Sequence, residues 1–313
     1  MSKTDTSHQV AVVVVSYNTR DLLLSCLDSV NRSVRGYAIE LVVVDNASTD
    51  GSGRAVTETH PQARLIRNSK NVGFGAACNQ AIEASKSPII LLLNSDATLT
   101  PEAFHALCGC MRAREDCGAA GCRLVDPEGG EIVSTRFFLN PFNQAIEQAG
   151  IAPPWNLRWL NRTYRPTPDS STVDCGVDWV EGACLMLRRE ALMKTGLFDE
   201  RFFMYSEEED LCRRLRGGGW TVCYCAGGEA IHIGGASSDR DGDEMLRQFY
   251  LSQILFLQKH SGRLASSLYA VVMKFLLTLK HLYFEADGNG LLSEEFKRRL
   301  AALRAAHRLS SPR

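Results

Sequence analysis

The strongest constraint on this chain is an alternation repeated through its first hundred residues. Val10–Val15 is an unbroken aliphatic run, mostly β-branched. Ile39–Val44 and Ile89–Leu93 are two more, and Ala63–Ile66 is a weaker one. Between them, Asp21–Val30 and Ala76–Ala84 place apolar residues at helical spacing. Strands apolar on both faces need cover on both faces, and intervening helices supply it in a parallel sheet. In such sheets ligands sit beyond the carboxyl ends of the strands. The polar clusters fall at those ends: Ser16-Tyr17-Asn18, Asp45-Asn46-Ala47-Ser48 and Asn94-Ser95-Asp96.

Later segments are less regular. Thr100-Pro101 reads as an N-cap followed by proline at the first helical position. Gly118–Val125 and Glu131–Ser134 read as strands around an Asp126–Gly130 turn. The stretch Phe137–Thr172 holds five prolines with Trp155 and Trp159, the pattern of a functional or mobile loop. Strands are expected at Val177–Val180, Ala183–Leu187 and Thr221–Cys225, and a helix at about Glu207–Arg216. His232 is expected in a tight loop just past the last strand. From Gly242 onward the patterns are helical.

The 313 residues carry a formal net charge of -1, which gives no footing for nucleic acid. The 11 cysteines form no C-x-x-C pair and read as small apolar thiols in a reducing compartment. Zinc held by Cys223, Cys225 and His232 is a remote reading, because the spacing is poor. Leu264–Phe284 is strongly apolar but contains Lys274 and Lys280. Three readings stand for it: a helix packed on protein, an interfacial helix, or a membrane span.

Each polar cluster has a plain reading beside a functional one. Asp45-Asn46 either turns the chain or accepts hydrogen bonds from a base or ribose. Asp96 either caps a helix or holds a hard cation that phosphates help to coordinate. Asn71-Val-Gly-Phe-Gly75 resembles half a dinucleotide fingerprint, but it follows the third strand rather than the first, which disfavours NAD. Ser206 and Glu209 have capping-box spacing, and Asp210–Arg214 is an i,i+4 pair. Glu207 and Glu208 lack such partners, and crowded carboxylates raise one another's pKa, as a general base requires. His232 is either a core histidine or a metal ligand.

In order and spacing, these segments resemble an inverting family 2 glycosyltransferase of the GT-A fold, in its rhamnosyltransferase-like branch. The matching stretches are Val12–Asn18, Leu41–Gly51, Asn71–Gly75 with Asn79, Leu91–Asp96, Val180–Ala183, Gly196–Phe203, Glu207–Asp210, and His232 with Gly235. The resemblance implies an α/β fold: a Rossmann-like, mixed, mainly parallel sheet with flanking helices. It implies a catalytic domain over 1–240, with a nucleotide-sugar half at about 10–125 and an acceptor half at about 126–240. A helical extension over 241–313 follows.

By the same resemblance, Ser16, Tyr17, Asn18, Asp45, Asn46, Ser48, Asn71, Gly73, Gly75, Asn79, Asn94, Ser95 and Asp96 line the nucleotide-sugar site. Asp96 and His232 match metal ligands for Mg²⁺ or Mn²⁺. The catalytic base falls on Glu208 or Glu207, and Asp210 accompanies it. Trp179, Glu181 and Gly182 face the acceptor. The implied donor is dTDP-L-rhamnose, with UDP-hexoses as competitors. The implied acceptor is a hydroxyl of a glycan or lipid-linked glycan in bacterial surface polysaccharide synthesis. Other classes that fit such a sheet are a nucleotidyltransferase and a non-catalytic sugar-binding protein. The expected location is the cytoplasm, with peripheral contact through 264–313 on the inner face of the membrane, and a homo-oligomer is compatible with the C-terminal helices.

Overall fold

In a computed structural model, residues 9–141, 173–234 and 242–310 are described. The Trp155 and Trp159 insert and Gly235 lie outside them. Two compact units divide the chain. The first holds the described residues up to 136, those from 173 to 201, and 208–234. The second holds 137–141, 202–207 and the C-terminal helices.

The first unit begins with β1 (Val10–Ser16), α1 (Arg20–Ser33), β2 (Ile39–Asp45), α2 (Ser52–Thr59), β3 (Arg64–Arg67), α3 (Phe74–Ala84) and β4 (Ile89–Asn94). The strands β3-β2-β1-β4 lie side by side and parallel. Their both-face aliphatic character has the expected consequence: Val12, Val14, Val43, Leu91 and Leu93 are buried in one core with Leu23 and Leu27 of α1. The sheet extends from β1 to β2 on one side and to β4 on the other, which opens a crevice at the carboxyl end of β1.

Beyond β4 the sheet becomes mixed. It continues through β5 (Ala97–Thr98), α4 (Pro101–Ala113), β6 (Cys117–Val125), β7 (Glu131–Ile132) and β9 (Val173–Cys175). Next come β11 (Cys184–Arg188), α5 (Arg189–Thr195), α6 (Glu207–Gly217) and β12 (Thr221–His232). β11 runs antiparallel to both β4 and β6, while β12 is parallel to β6. A separate pair joins β8 (Thr135–Arg136) to β10 (Trp179–Val180). Thr100 caps α4 as read, its hydroxyl accepting from the Ala103 amide at 3.1 Å.

Three sequence readings are corrected here. β12 does not stop at Cys225 but runs to His232, with a register shift between Cys225 and Glu229. The intervening glycines make this possible: a Cβ on Gly228 would stand 2.3 Å from the backbone nitrogen of Ala103 in α4. His232 is therefore the end of a strand, paired with Ala97, rather than part of a loop. Zinc on Cys223, Cys225 and His232 is excluded by the same strand, which, even with the register shift, separates Cys225 from His232 by about 13 Å. Ser206 has φ +61°, a left-handed backbone rather than the extended one usual for an N-cap. Nine cysteines are buried free thiols, as expected, but Cys223 is disulfide-bonded.

The second unit is built on α7 (Gly242–Ala286) and α8 (Gly290–Ser310). α7 is broken at Gly262, whose φ of +86° is open to glycine and strained for other residues. Tyr250, Ile254, Leu257, Tyr269, Met273 and Leu277 of α7 pack with Leu300 and Leu303 of α8 around Phe202. By length and composition α7 is apolar enough to cross a membrane.

Candidate active site

Register alone brings the polar clusters together. Ser16 lies opposite Asp45, and Val15 opposite Asn94, at the carboxyl ends of three adjacent strands. Because β11 is antiparallel to β4, its beginning meets the end of β4, with Cys184 opposite Leu93. That places Glu181 and Gly182 on the same rim.

The β1 and β4 ends are joined by buried hydroxyls. Ser16 Oγ lies 3.0 Å from Thr19 Oγ1, which lies 2.8 Å from Ser95 Oγ. Asn18 and Ala47 stand at φ +55° and +70° in the adjoining loops, backbone that ordinary residues adopt at a cost and that clusters at functional sites. The Asn18 amide donates to Ser48 Oγ at 3.0 Å, the Thr49 amide donates to Asn18 Oδ1 at 2.7 Å, and the Ser48 amide donates to Asp45 Oδ1 at 2.9 Å. Tyr17 is half-buried beside them.

Asn46 is committed to its own protein. Its Nδ2 donates to Asn71 Oδ1 at 2.7 Å and to the Gly73 carbonyl at 3.2 Å. Its Oδ1 accepts from the Val72 amide at 3.1 Å and from Asn68 Nδ2 at 3.0 Å. All four hydrogen-bonding positions are used, so Asn46 holds the 68–73 loop that leads into α3. Gly73, at φ +90°, is the turn before that helix, and Gly75 is buried in its first turn. Asn79 behaves like Asn46: Nδ2 donates to the Phe198 carbonyl at 2.9 Å, and Oδ1 accepts from the Phe198 amide at 3.0 Å. For both residues the structure shows a loop anchor where the sequence pattern suggested a ligand contact.

Asp96 and His232 meet. Nε2 of His232 lies 3.3 Å from Asp96 Oδ1 and 3.4 Å from Asn94 Nδ2, with the His232 and Asp96 side chains 18% and 10% exposed. One carboxylate oxygen and one imidazole nitrogen at a strand-end rim form a donor set that suits a Mg²⁺ or Mn²⁺ ion whose remaining ligands come from phosphate and water.

The acidic run at the start of α6 divides its labour. Asp210 is fully buried and accepts from Arg214 Nε at 2.8 Å. Arg214 also donates to the carbonyls of Thr195, Gly196 and Leu197. That pair is structural: it pins the loop after α5. Glu207 is buried, with 4% of its surface exposed. Glu208 turns toward the rim, where its Oε1 accepts a long hydrogen bond from the Gly182 amide at 3.4 Å. Its Oε2 is buried without a hydrogen-bond partner among the described residues. Burial pushes the Glu208 carboxyl up to about 7, and the charge of Glu181 adds to that push. The Gly182 amide and the Arg136 guanidinium act the other way. A side chain on Gly182 would crowd this arrangement, since its Cβ would sit 3.3 Å from Glu208 Oε1.

Arg136 and Thr19 had no signal in the sequence reading. Arg136 Nε donates to Glu181 Oε1 at 2.6 Å, and its guanidinium lies 5.9 Å from the centre of the Trp179 ring. Its place depends on β8 pairing with β10, a contact across more than forty residues of chain.

Continuous contacts connect the two chemical ends of the rim. Glu208 accepts from the Gly182 amide, and the carbonyl of the following residue, Ala183, accepts from the Asn94 amide at 3.0 Å. Asn94 in turn touches His232, which faces Asp96.

The family model described as "Glycosyl transferase family 2" matches residues 11–196. This chain belongs to glycosyl transferase family 2. The glycosyltransferase is similar to the N-acetylglucosaminyl-diphospho-decaprenol L-rhamnosyltransferase of Mycobacterium tuberculosis. The two are 29% identical over 268 residues, covering 80% of this chain and 85% of the relative. In fold it is similar to mannosyltransferase PcManGT from Pyrobaculum calidifontis, solved in complex with GDP-Man and Mn²⁺. That match has a TM-score of 0.55 at 17% identity and covers 96% of this chain and 86% of the other. GalNAc-T7, solved with UDP, GalNAc and Mn²⁺, matches at TM-score 0.56 and 13% identity, over 81% of this chain and 48% of that one. The expected GT-A architecture, a mainly parallel sheet with flanking helices and a C-terminal helical region, is the one this glycosyltransferase adopts.

Proposed function

We propose that this glycosyltransferase moves L-rhamnose from dTDP-L-rhamnose to a hydroxyl of a lipid-linked glycan, with inversion at the anomeric carbon, at the inner face of a bacterial membrane during surface polysaccharide synthesis. The observation that carries the chemistry is the run of contacts from Glu208 through Gly182, Ala183 and Asn94 to His232 and Asp96. It sets a carboxyl tuned near neutrality at one end of a rim and a metal-type donor pair at the other. The rhamnosyl donor and the lipid-linked acceptor rest on the likeness to the mycobacterial rhamnosyltransferase.

In this reading Glu208 is the base, and Glu207, its buried neighbour, is the alternative. Glu208 takes the proton of the acceptor hydroxyl. The freed electron pair on that oxygen forms the bond to the anomeric carbon from the face opposite the diphosphate. The bond from the anomeric carbon to the phosphate oxygen breaks, and its electron pair leaves with the nucleoside diphosphate. Asp96 and His232 would hold a divalent cation, which when bound neutralises charge on that leaving group. Asp45, Asn18 and Ser48 contact the nucleoside, and Ser16 and Ser95 shape the floor beneath it. Asn71, Gly73 and Gly75 bring backbone close to the donor. Trp179, Glu181 and Gly182 face the acceptor.

Thermal shift with dTDP-L-rhamnose, UDP-glucose, UDP-galactose and GDP-mannose, each with and without Mg²⁺ or Mn²⁺, tests the donor. Metal-dependent stabilisation by the dTDP-sugar, lost in Asp96→Ala, is expected. Stabilisation by a UDP-sugar alone would replace the rhamnosyl donor with a hexosyl one. No response to any donor would overturn the reading. NMR of the product reads the anomeric configuration.

A further inference from the structure

After the break at Gly262, α7 has two apolar faces, and they have different fates. Ser266, Tyr269, Ala270, Met273 and Leu277 are buried in the core of the second unit or against α8. The opposite side exposes Leu264 (89%), Leu268 (57%), Val271 (63%), Phe275 (62%), Leu279 (48%) and Leu282 (52%). Their spacing of four, three, four, four and three residues keeps them in one stripe, about 80° wide and about 27 Å long on a regular helix. Leu291, 89% exposed, follows at the start of α8. Scattered exposed leucines are ordinary, but a continuous apolar stripe marks a contact surface.

The lysines that interrupt the apolar run in sequence do not interrupt this stripe. Lys274 Nζ lies 3.1 Å from His307 Nδ1, and Lys280 Nζ lies 5.1 Å from the centre of the Phe296 ring, so both turn toward α8. From Arg263 to Phe284 the helix carries three cations and no carboxylate. Near its Gly262 end α8 returns, with Gln258 Nε2 donating to the Ser310 carbonyl at 3.3 Å. Arg263, Arg304 and Arg308 are exposed in these segments, and none forms a salt bridge to a carboxylate among the described residues.

We infer that this stripe is a membrane-docking face: the second half of α7 lies flat in the interface of an anionic bilayer. The apolar side chains enter the acyl boundary while the flanking arginines meet lipid phosphates. A spanning helix is incompatible with the buried opposite face. The inference deepens the reading of a lipid-linked acceptor, since it places the enzyme where such an acceptor resides. It rests on that reading only for its purpose.

Flotation of the purified full chain tests it with no sugar transfer involved, so its failure is distinct from failure of the donor assay. The vesicles are phosphatidylcholine alone, or phosphatidylcholine with about one third phosphatidylglycerol. The wild type is expected to float with the anionic vesicles and several-fold less with neutral ones. The Phe275→Glu/Leu279→Glu double variant should lose roughly tenfold or more of that binding. Arg304→Glu/Arg308→Glu should lose the preference for anionic lipid. Both pairs are exposed, and an unchanged melting temperature checks folding. Should the glutamates disturb it, Leu268→Ser and Phe275→Ser give a graded loss. A Phe275→Glu/Leu279→Glu protein that floats like wild type would overturn the inference. So would a wild type that ignores vesicles, including one whose stripe instead supports a dimer in light scattering.

Discussion

Replacing Glu208 with glutamine removes one ionisable proton and almost no volume. The folded protein holds the Glu208 carboxyl near 7 against an ordinary value of 4.5. It therefore keeps its proton over a range where the unfolded chain has lost it. Stability falls as pH rises through that window, because the unfolded state binds fewer protons there. At about 1.4 kcal/mol per unit, the gap between 4.5 and about 7 amounts to about 3 kcal/mol. Glutamine cannot ionise and resembles the neutral acid. Wild type and Glu208→Gln are thus expected to be equally stable near pH 4.5. The variant should gain steadily to an advantage of about 3 kcal/mol above pH 7.5. Urea unfolding across pH 4.5–8 reads this directly. In the transfer assay the variant should lose about a hundredfold or more in kcat. Wild-type activity should rise with pH through an acid limb near 7, which is absent from the residual rate of the variant. A glutamine variant no more stable than wild type at pH 8 would refute the buried, neutral carboxyl. A variant that keeps kcat within about threefold would refute the base.

Glu181→Gln removes the charge that adds to the upward push on Glu208, so the acid limb of the pH–rate profile should move to lower pH. Arg136→Met removes an opposing cation and should move it to higher pH. Asn46→Ala leaves the Val72 amide, the Gly73 carbonyl and Asn71 without their partner. It should cost about 2 kcal/mol in urea unfolding and raise the KM for donor more than it lowers kcat. Gly228→Ala sets a Cβ 2.3 Å from the Ala103 nitrogen and should lower stability by about 2 kcal/mol, read as a lower melting temperature.

The parallel half of the sheet was legible in the sequence because its signals are local. Aliphatic runs of strand length alternate with helical spacing, and residues at strand ends converge wherever strands run parallel. Hence Ser16, Asp45 and Asn94 share a rim, as their positions after apolar runs required. Other features depend on partners distant in the chain. Seven residues beyond Cys225 stay in β12 because β6 continues beside them, and this turns His232 toward Asp96. The amides of Asn46 and Asn79 look available in a motif and are consumed once the 68–73 loop and Phe198 fold against them. Four adjacent acidic residues gave no means of telling Asp210, neutralised by Arg214, from Glu208, desolvated beside Gly182 and Glu181. Sequence alone determined which residue types stand at the ends of which strands, because backbone periodicity is written in nearest neighbours. Only the tertiary structure decided which of those groups are spent on holding loops and which keep an uncommitted oxygen. Burial and charge depend on what the rest of the chain brings alongside.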